Sequence, residues 1–202
     1  MPDAQGSPLL HTKRLVVYRS ERSVATDLEN KVLPMTAIPR ALTDDALKRL
    51  LDESSPEEVV AQMKATFDLI EQSLLCEDRE YYAAYLPDGA LVGVAGFSDT
   101  HGETPEAHIT VDIPYQRQGY GKELLSELLP LYLEKPSCKH ILYRLRTNNV
   151  PSEKLVLSLG GELQPPASIV EALIIKTYHI STVLPDPDKE SNRTEAYRPS
   201  EN

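Results

Sequence analysis

The sequence predicts a mixed α/β fold, a twisted and largely antiparallel sheet of about six to seven strands flanked by helices. Three observations carry that prediction. Apolar runs of strand length alternate with runs at helical spacing, the loops between them are short, and a glycine-bearing turn joins a strand directly to a helix in mid-chain. With 202 residues, 41% hydrophobic and 26% charged, the composition suits one globular domain with a single sizeable core. Residues 1–10 are small and polar and read as a flexible lead, and residues 11–184 as the domain. Residues 185–202 carry almost nothing apolar to offset ordering entropy and read as a disordered or surface-draped tail.

Taken in order, Thr12 to Arg19 is an opening strand, followed by a segment from Arg22 to Arg40 with two prolines and no clear period. Thr43-Asp44-Asp45 caps a helix start, and Ser55-Pro56-Glu57-Glu58 is a capping box with proline at the first helical position. Val59, Val60, Met63, Phe67, Ile70 and Leu74 then follow at helical spacing. Tyr81 to Leu86 and Leu91 to Phe97 are strands joined by the turn Pro87-Asp88-Gly89. Ala107 to Ile113 is a strand and Glu123 to Leu129 a helix, which Pro130 should kink or end by removing a hydrogen bond. After the strand His140 to Arg146, Ser152 suits a helix N-cap and Gly160 a left-handed stop. Glu162 to Gln164 and Ala172 to Ile180 are the closing strands, giving the order β, α, α, β, β, β, α, β, α, β, β.

The chemistry concentrates at Gln118-Gly119-Tyr120-Gly121-Lys122, between a strand and a helix. Backbone N–H groups in a first helical turn lack intrahelical partners, the helix dipole favours negative charge there, and glycine lets a phosphate approach the backbone. A nucleotide P-loop would need glycine at Gln116 and Ser or Thr at Glu123, and a dinucleotide fingerprint would need glycine at Leu124. Neither holds. An ordinary glycine-rich turn remains the bland alternative.

Gln116-Arg117-Gln118-Gly119-Tyr120-Gly121 resembles the Q/R-x-x-G-x-G/A signature of the GNAT acyltransferase superfamily. Asn149 followed three residues later by Ser152, then a short helix ending at Gly160, resembles a second segment of that family. The serine, and the opening Thr12-Lys13-Arg14-Leu15, point to the RimJ/RimL-like branch of ribosomal-protein N-terminal acetyltransferases. The resemblance spans residues 12–181 and is strongest over 107–161. It implies acetyl-CoA as cosubstrate, with the pyrophosphate on Gln116, Arg117, Gln118, Gly119, Tyr120, Gly121 and Lys122. The pantetheine arm would lie in a slot between splayed strands, against backbone groups of Val111 and Ile113 and near Asn149 and Ser152. The early segment Arg22 to Arg40 would help shape the acceptor pocket. Many members place a proton-donating tyrosine where this chain has Val156, so Ser152 becomes the candidate donor to the leaving thiolate. Glu106 is the candidate base, with His108 and Asp112 on the same strand face. Gly161 replaces an aromatic residue common in the family, which would loosen packing beneath the acceptor.

The formal net charge of −10 argues against a nucleic-acid footprint and suits a cationic amine acceptor. No run approaches the ~20 apolar residues of a membrane span, and no signal segment leads the chain, so a cytoplasmic location is expected. The two cysteines, Cys76 and Cys138, are expected to be reduced packing residues, and the five histidines show no metal-ligand clustering. The expected activity is therefore acetyl transfer to a primary amine, a protein N-terminus or a small amine, without a metal and with a homodimer allowed. A catalytically silent acyl-CoA binder and a cofactor-free interaction protein are the rival readings.

Overall fold

The structure is a computed structural model that describes residues 7–32, 55, 57–62, 64–65 and 78–182. The helix expected from Thr43, the stripe beyond residue 65, Cys76 and the tail from residue 185 lie outside the described residues. Among the described residues eight strands form one sheet in the order β1-β2-β3-β4-β5-β6-β8-β7, one or two more than expected. They are β1 (Leu10–His11), β2 (Val16–Ser20), β3 (Arg79–Tyr85), β4 (Leu91–Ser98), β5 (Glu106–Val111), β6 (Ile141–Arg146), β7 (Glu162–Leu163) and β8 (Ile175–Ile180). Every neighbouring pair is antiparallel except β5 and β6.

Helices cover both faces. On one, α2 (Tyr120–Leu133) and α3 (Val150–Ser158) enclose the main core, where Leu124, Leu125, Leu128 and Val156 meet Phe97, Ala107, Ile141 and Tyr143. On the other, α1 (Arg22–Val32) sets Ala25 and Leu28 against Ala83 and Val94. This helix fills part of the segment in which the sequence shows no clear period. Val24, Ala25, Leu28 and Val32 do carry helical spacing, but Pro34 and Pro39 break the pattern when the segment is read as a whole.

Two further expectations are corrected. The helix α2 continues through Pro130 to Leu133. Beyond the proline, Tyr132 is buried, stacks on Phe97 at 4.0 Å, and shares hydrogen bonds with Tyr82 and Glu80, and these contacts offset the missing backbone bond. The closing strand starts later than Ala172, because α4 (Ile169–Ile174) precedes β8. At its start Glu171 N–H donates to Oγ of the N-cap Ser168 at 3.0 Å, and the Glu171 carboxylate takes Ala167 N–H, one residue before the cap, at 2.8 Å. The expected box at Ser55 and Glu58 forms reciprocally, and Gly89 makes the β3–β4 turn with φ +88°. Among the described residues no helix is long and apolar enough to cross a membrane.

Candidate active site

The sheet splits where β5 meets β6. The two strands run parallel but pair at a single position, Glu106 with Leu142, beside the Leu142 N–H to Pro105 carbonyl bond of 2.8 Å. Beyond it β5 keeps its partner β4 and β6 keeps β8, so a gap opens towards the C-terminal ends of both strands. Asp112 N–H donates to Val92 O across β4, and alternation then turns the N–H and C=O groups of Ile109 and Val111 towards the gap. Val92 is the extra residue of a bulge, since Ala84 pairs with Gly93 and Tyr85 with Leu91. Ile113 and Val150, which follow the two diverging strands, are 59% and 51% exposed.

The turn after β5 is built from backbone. A short 3₁₀ turn, Ile113–Tyr115, leads into Arg117 at φ +61° and Gly119 at φ +83°, both left-handed. Gly119 is the N-cap of α2 and supplies no side-chain cap, while Glu123 N–H is the first to reach back, to Gly119 O at 3.0 Å. The N–H groups of the first helical turn therefore have no intrahelical partner, as an anion site needs. The side chains of Gln116 and Gln118 shape the turn instead: they donate to Val111 O at 3.0 Å and to Pro114 O at 2.7 Å. Gly121 packs over Ile109, Val111 and Leu155, which seats the start of α2 directly on the gap.

One support for this turn comes from far away in sequence. Arg14 donates through Nη1 to Gln118 O at 3.0 Å, lies 4.1 Å over the Tyr120 ring, and pairs through Nε with Glu123 at 2.6 Å. Thr12 Oγ1 also donates to Glu123. Burial alone would raise the Glu123 carboxyl, but the hydrogen bonds from Thr12 and Arg14 outweigh it and hold it below its ordinary value. An acidic residue in the first turn of α2 is thus held ionised, with its charge paired by Arg14, beside the place where an anion would bind. The Thr12-Lys13-Arg14-Leu15 match identifies these residues in the sequence but not this role.

On the far side of the gap, Asn149 rather than Ser152 is the N-cap of α3: its Oδ1 accepts from Ser152 N–H at 3.2 Å. The hydroxyl of Ser152 is left to meet the buried Tyr143 hydroxyl at 2.8 Å. Burial pushes the Tyr143 phenol up, with the Ser152 hydrogen bond acting against it, so Tyr143 stays protonated. The helix ends in a Schellman motif, with Gly161 N–H on Val156 O and Gly160 N–H on Leu157 O, Gly160 at φ +88°. Val156, at the usual tyrosine position, is fully buried. A Cβ on Gly161 would lie 2.6 Å from Val156 Cγ2, so Gly161 marks close packing and not the looseness expected from losing an aromatic.

Two sequence candidates prove to be engaged. Ile113 N–H donates to the Asp112 carboxylate at 2.8 Å, and that carboxylate also takes Lys31 Nζ at 2.5 Å, so Ile113 offers no free donor to the gap. Glu106, at the vertex of the split, is buried and receives Arg144 Nη1 at 2.5 Å. It staples the two strands where they part. Its neighbours Ala107, Ile109 and Val111 pack towards α2, so alternation places Glu106, His108 and Thr110 on the α1 face. A cavity of about 480 Å³ also lies on that face, between Leu28 and Lys31 of α1 and Leu91, Asp112, Pro114 and Tyr115. Among the described residues no group of three or more metal-ligating side chains occurs.

Residues 45–160, more than half the chain, match the Acetyltransferase (GNAT) family. No curated protein sequence matches the chain. Among solved structures, the ribosomal L7/L12 α-N-protein acetyltransferase RimL in complex with coenzyme A is similar over 86% of this chain and 97% of its own, with 15% identity and a TM-score of 0.53. A spermidine N-acetyltransferase from Vibrio cholerae, solved with CoA and spermine, is similar over 83% of this chain and 95% of its own, with 12% identity and a TM-score of 0.52. A domain from Methanocaldococcus jannaschii DSM 2661 is similar over 84% and 99%, with 16% identity and a TM-score of 0.54. At these identities the likeness is one of fold.

Proposed function

The chain belongs to the acetyltransferase (GNAT) family, and on that premise we propose that it carries an acetyl group from acetyl-CoA directly to a primary amine. The observation that carries this reading is the split sheet with an uncapped, left-handed turn at its mouth. The pyrophosphate is held by the first-turn N–H groups of α2, with Arg117 and Lys122 beside them and Arg14 bracing the turn from behind. The pantetheine arm runs into the gap, past Val111 and Ile109, whose backbone groups continue the hydrogen-bonding role of a strand. Ile109 N–H, one alternation deeper than Val111, takes the part of oxyanion donor.

Both substrates are held together, so the amine attacks the thioester carbonyl without a covalent enzyme intermediate. As the tetrahedral adduct collapses, the C–S bond breaks and Ser152 Oγ–H donates to the departing thiolate. Tyr143, whose own phenol stays protonated, holds Ser152 Oγ in place through the hydrogen bond the two hydroxyls share. Ser152 then regains a proton from the nitrogen of the newly formed amide. The acidic chain favours a cationic amine. The fold neighbours named for ribosomal-protein and spermidine acetylation support both a protein α-amine and a polyamine as acceptors.

Thiol release from acetyl-CoA, followed over a panel of spermidine, small monoamines and short peptides with free N-termini, tests this function. Turnover with at least one amine is expected, and Ser152→Ala should lower kcat roughly tenfold or more with acetyl-CoA affinity retained. Unchanged turnover in that variant would remove Ser152 from the donor role. Val156, buried and unable to donate, is the observation behind the rival reading of a silent acyl-CoA binder, which requires binding with no turnover.

A further inference from the structure

Acetyl transfer needs an uncharged amine, so a group beside the acetyl position must take a proton from the incoming ammonium. The sequence candidate, Glu106, is spent on Arg144 at the closed end of the gap. Two residues further along β5, on the same face, stands His108. It precedes Ile109, whose N–H faces the gap, and it is paired across the sheet with Gly96. That glycine makes room: a Cβ on it would lie 3.2 Å from the Tyr81 ring and 3.6 Å from His108 Cδ2. The imidazole is thus seated beside Tyr81, and its Nε2 meets Ser98 Oγ at 3.3 Å.

We propose, resting on the transferase reading above, that His108 is the group that deprotonates the amine acceptor. With Nε2–H donating to Ser98 Oγ, Nδ1 carries the lone pair. The ammonium gives one proton to Nδ1, the freed nitrogen lone pair attacks the thioester carbon, and the imidazolium later returns its proton to water. The surroundings favour this assignment. Burial lowers the imidazole below its ordinary 6.5, Glu106 acts against that shift, and Arg79 and Arg144 add to it, so the ring is neutral at physiological pH. The same face holds buried donors without a hydrogen-bond partner among the described residues, Arg79 Nε and Nη2 and Arg144 Nε, beside the buried Thr177 hydroxyl that pairs in register with Arg144. Unmet donors of this kind mark a surface suited to a polar ligand.

The test is the pH dependence of kcat/KM for the best amine of the panel, in wild type and His108→Gln, with acetyl-CoA titrated calorimetrically into both. Protonation removes the base, so wild-type kcat/KM should fall as the pH drops through a value below 6.5, and an NMR titration of the wild-type histidines should place His108 at that same pH. His108→Gln should bind acetyl-CoA within about twofold of wild type, lose roughly 100-fold in kcat, and lack that acidic limb. A His108→Gln variant with near-wild-type kcat and the same limb would overturn the inference alone, as would a wild-type His108 that titrates away from the limb. Absence of turnover with every amine would overturn the transferase reading and this inference with it.

Discussion

The turn at Gln116–Lys122 and the sheet face around His108 are built by opposite means. The turn works through backbone: a left-handed glycine, an uncapped helix start, and two glutamines folded back onto carbonyls. The face works through side chains that four strands bring together, with Arg79 from β3, Ser98 from β4, Glu106 and His108 from β5, and Arg144 from β6. Backbone geometry is specified by adjacent residues, so it leaves a short motif. A cluster from separate strands is specified by register, which leaves no local trace.

Substitutions can break or sharpen that contrast. The largest effect is expected from Gly119→Asp. The residue sits at φ +83°, where an aspartate is strained by about 1–2 kcal/mol, but only Arg14 Nη2, at 3.4 Å, lies near a hypothetical Cβ, so the chain should still fold with that loss of stability. A carboxylate placed at the anion site should cost roughly 100-fold in acetyl-CoA affinity. Retained affinity in calorimetry would show that the turn does not hold the pyrophosphate.

Gly161→Ala should act on stability alone. Its Cβ would meet Val156 Cγ2 at 2.6 Å and Val156 O at 2.9 Å, a backbone-and-core conflict that should cost about 1–3 kcal/mol in chemical denaturation. Acetyl-CoA affinity of the folded fraction should not change. Full stability in this variant would mean that the Val156–Gly161 contact is not what fixes the end of α3.

The smallest effect, and the one that would blur the contrast, belongs to Arg14→Ala. Arg14 is partly exposed, so its pair with Glu123 is screened and should contribute about 1 kcal/mol. The depressed carboxyl sets the sign of the pH dependence. Its contribution is present above the ordinary 4.5 and is lost as the pH falls through the lower folded value. Thermal melts should show the variant less stable than wild type at pH 7, with the difference shrinking in acid. Acetyl-CoA affinity should fall roughly tenfold, because Glu123 would then face the anion without its partner. A difference between the two melts that stays constant from neutral pH into acid would remove the clamp from the account.

Much of the fold was legible for the same reason the turn was. The strands flanking Gly89, the strand–turn–helix at Gly119, the capping box at Ser55 and the stop at Gly160 are all local signals that the structure bears out. The misses follow from reading past local signals or from effects that sequence does not display. Ser168 and Glu171 stand at the spacing of a helix start, but the apolar run after Ala172 suggested strand throughout. Pro130 was expected to kink or end the helix, and the ending is what fails, because Tyr132, Phe97 and Glu80 hold the last turn through tertiary contacts. At the site, Glu106 looked like a free carboxylate because its partner Arg144 lies 38 residues away, and Ile113 looked like a free donor because nothing in sequence shows Asp112 folding onto it. Ile109 and Arg14 acquire their places from strand alternation and long-range packing, so no motif could assign them.

On the proposed function, the split sheet and the turn at its mouth form an acetyl-CoA site. Calorimetric titration of the full chain with acetyl-CoA, and with desulfo-CoA as the companion ligand lacking the thioester, tests it most directly. Saturable micromolar binding of both ligands at one site is expected. The absence of binding by either would contradict it.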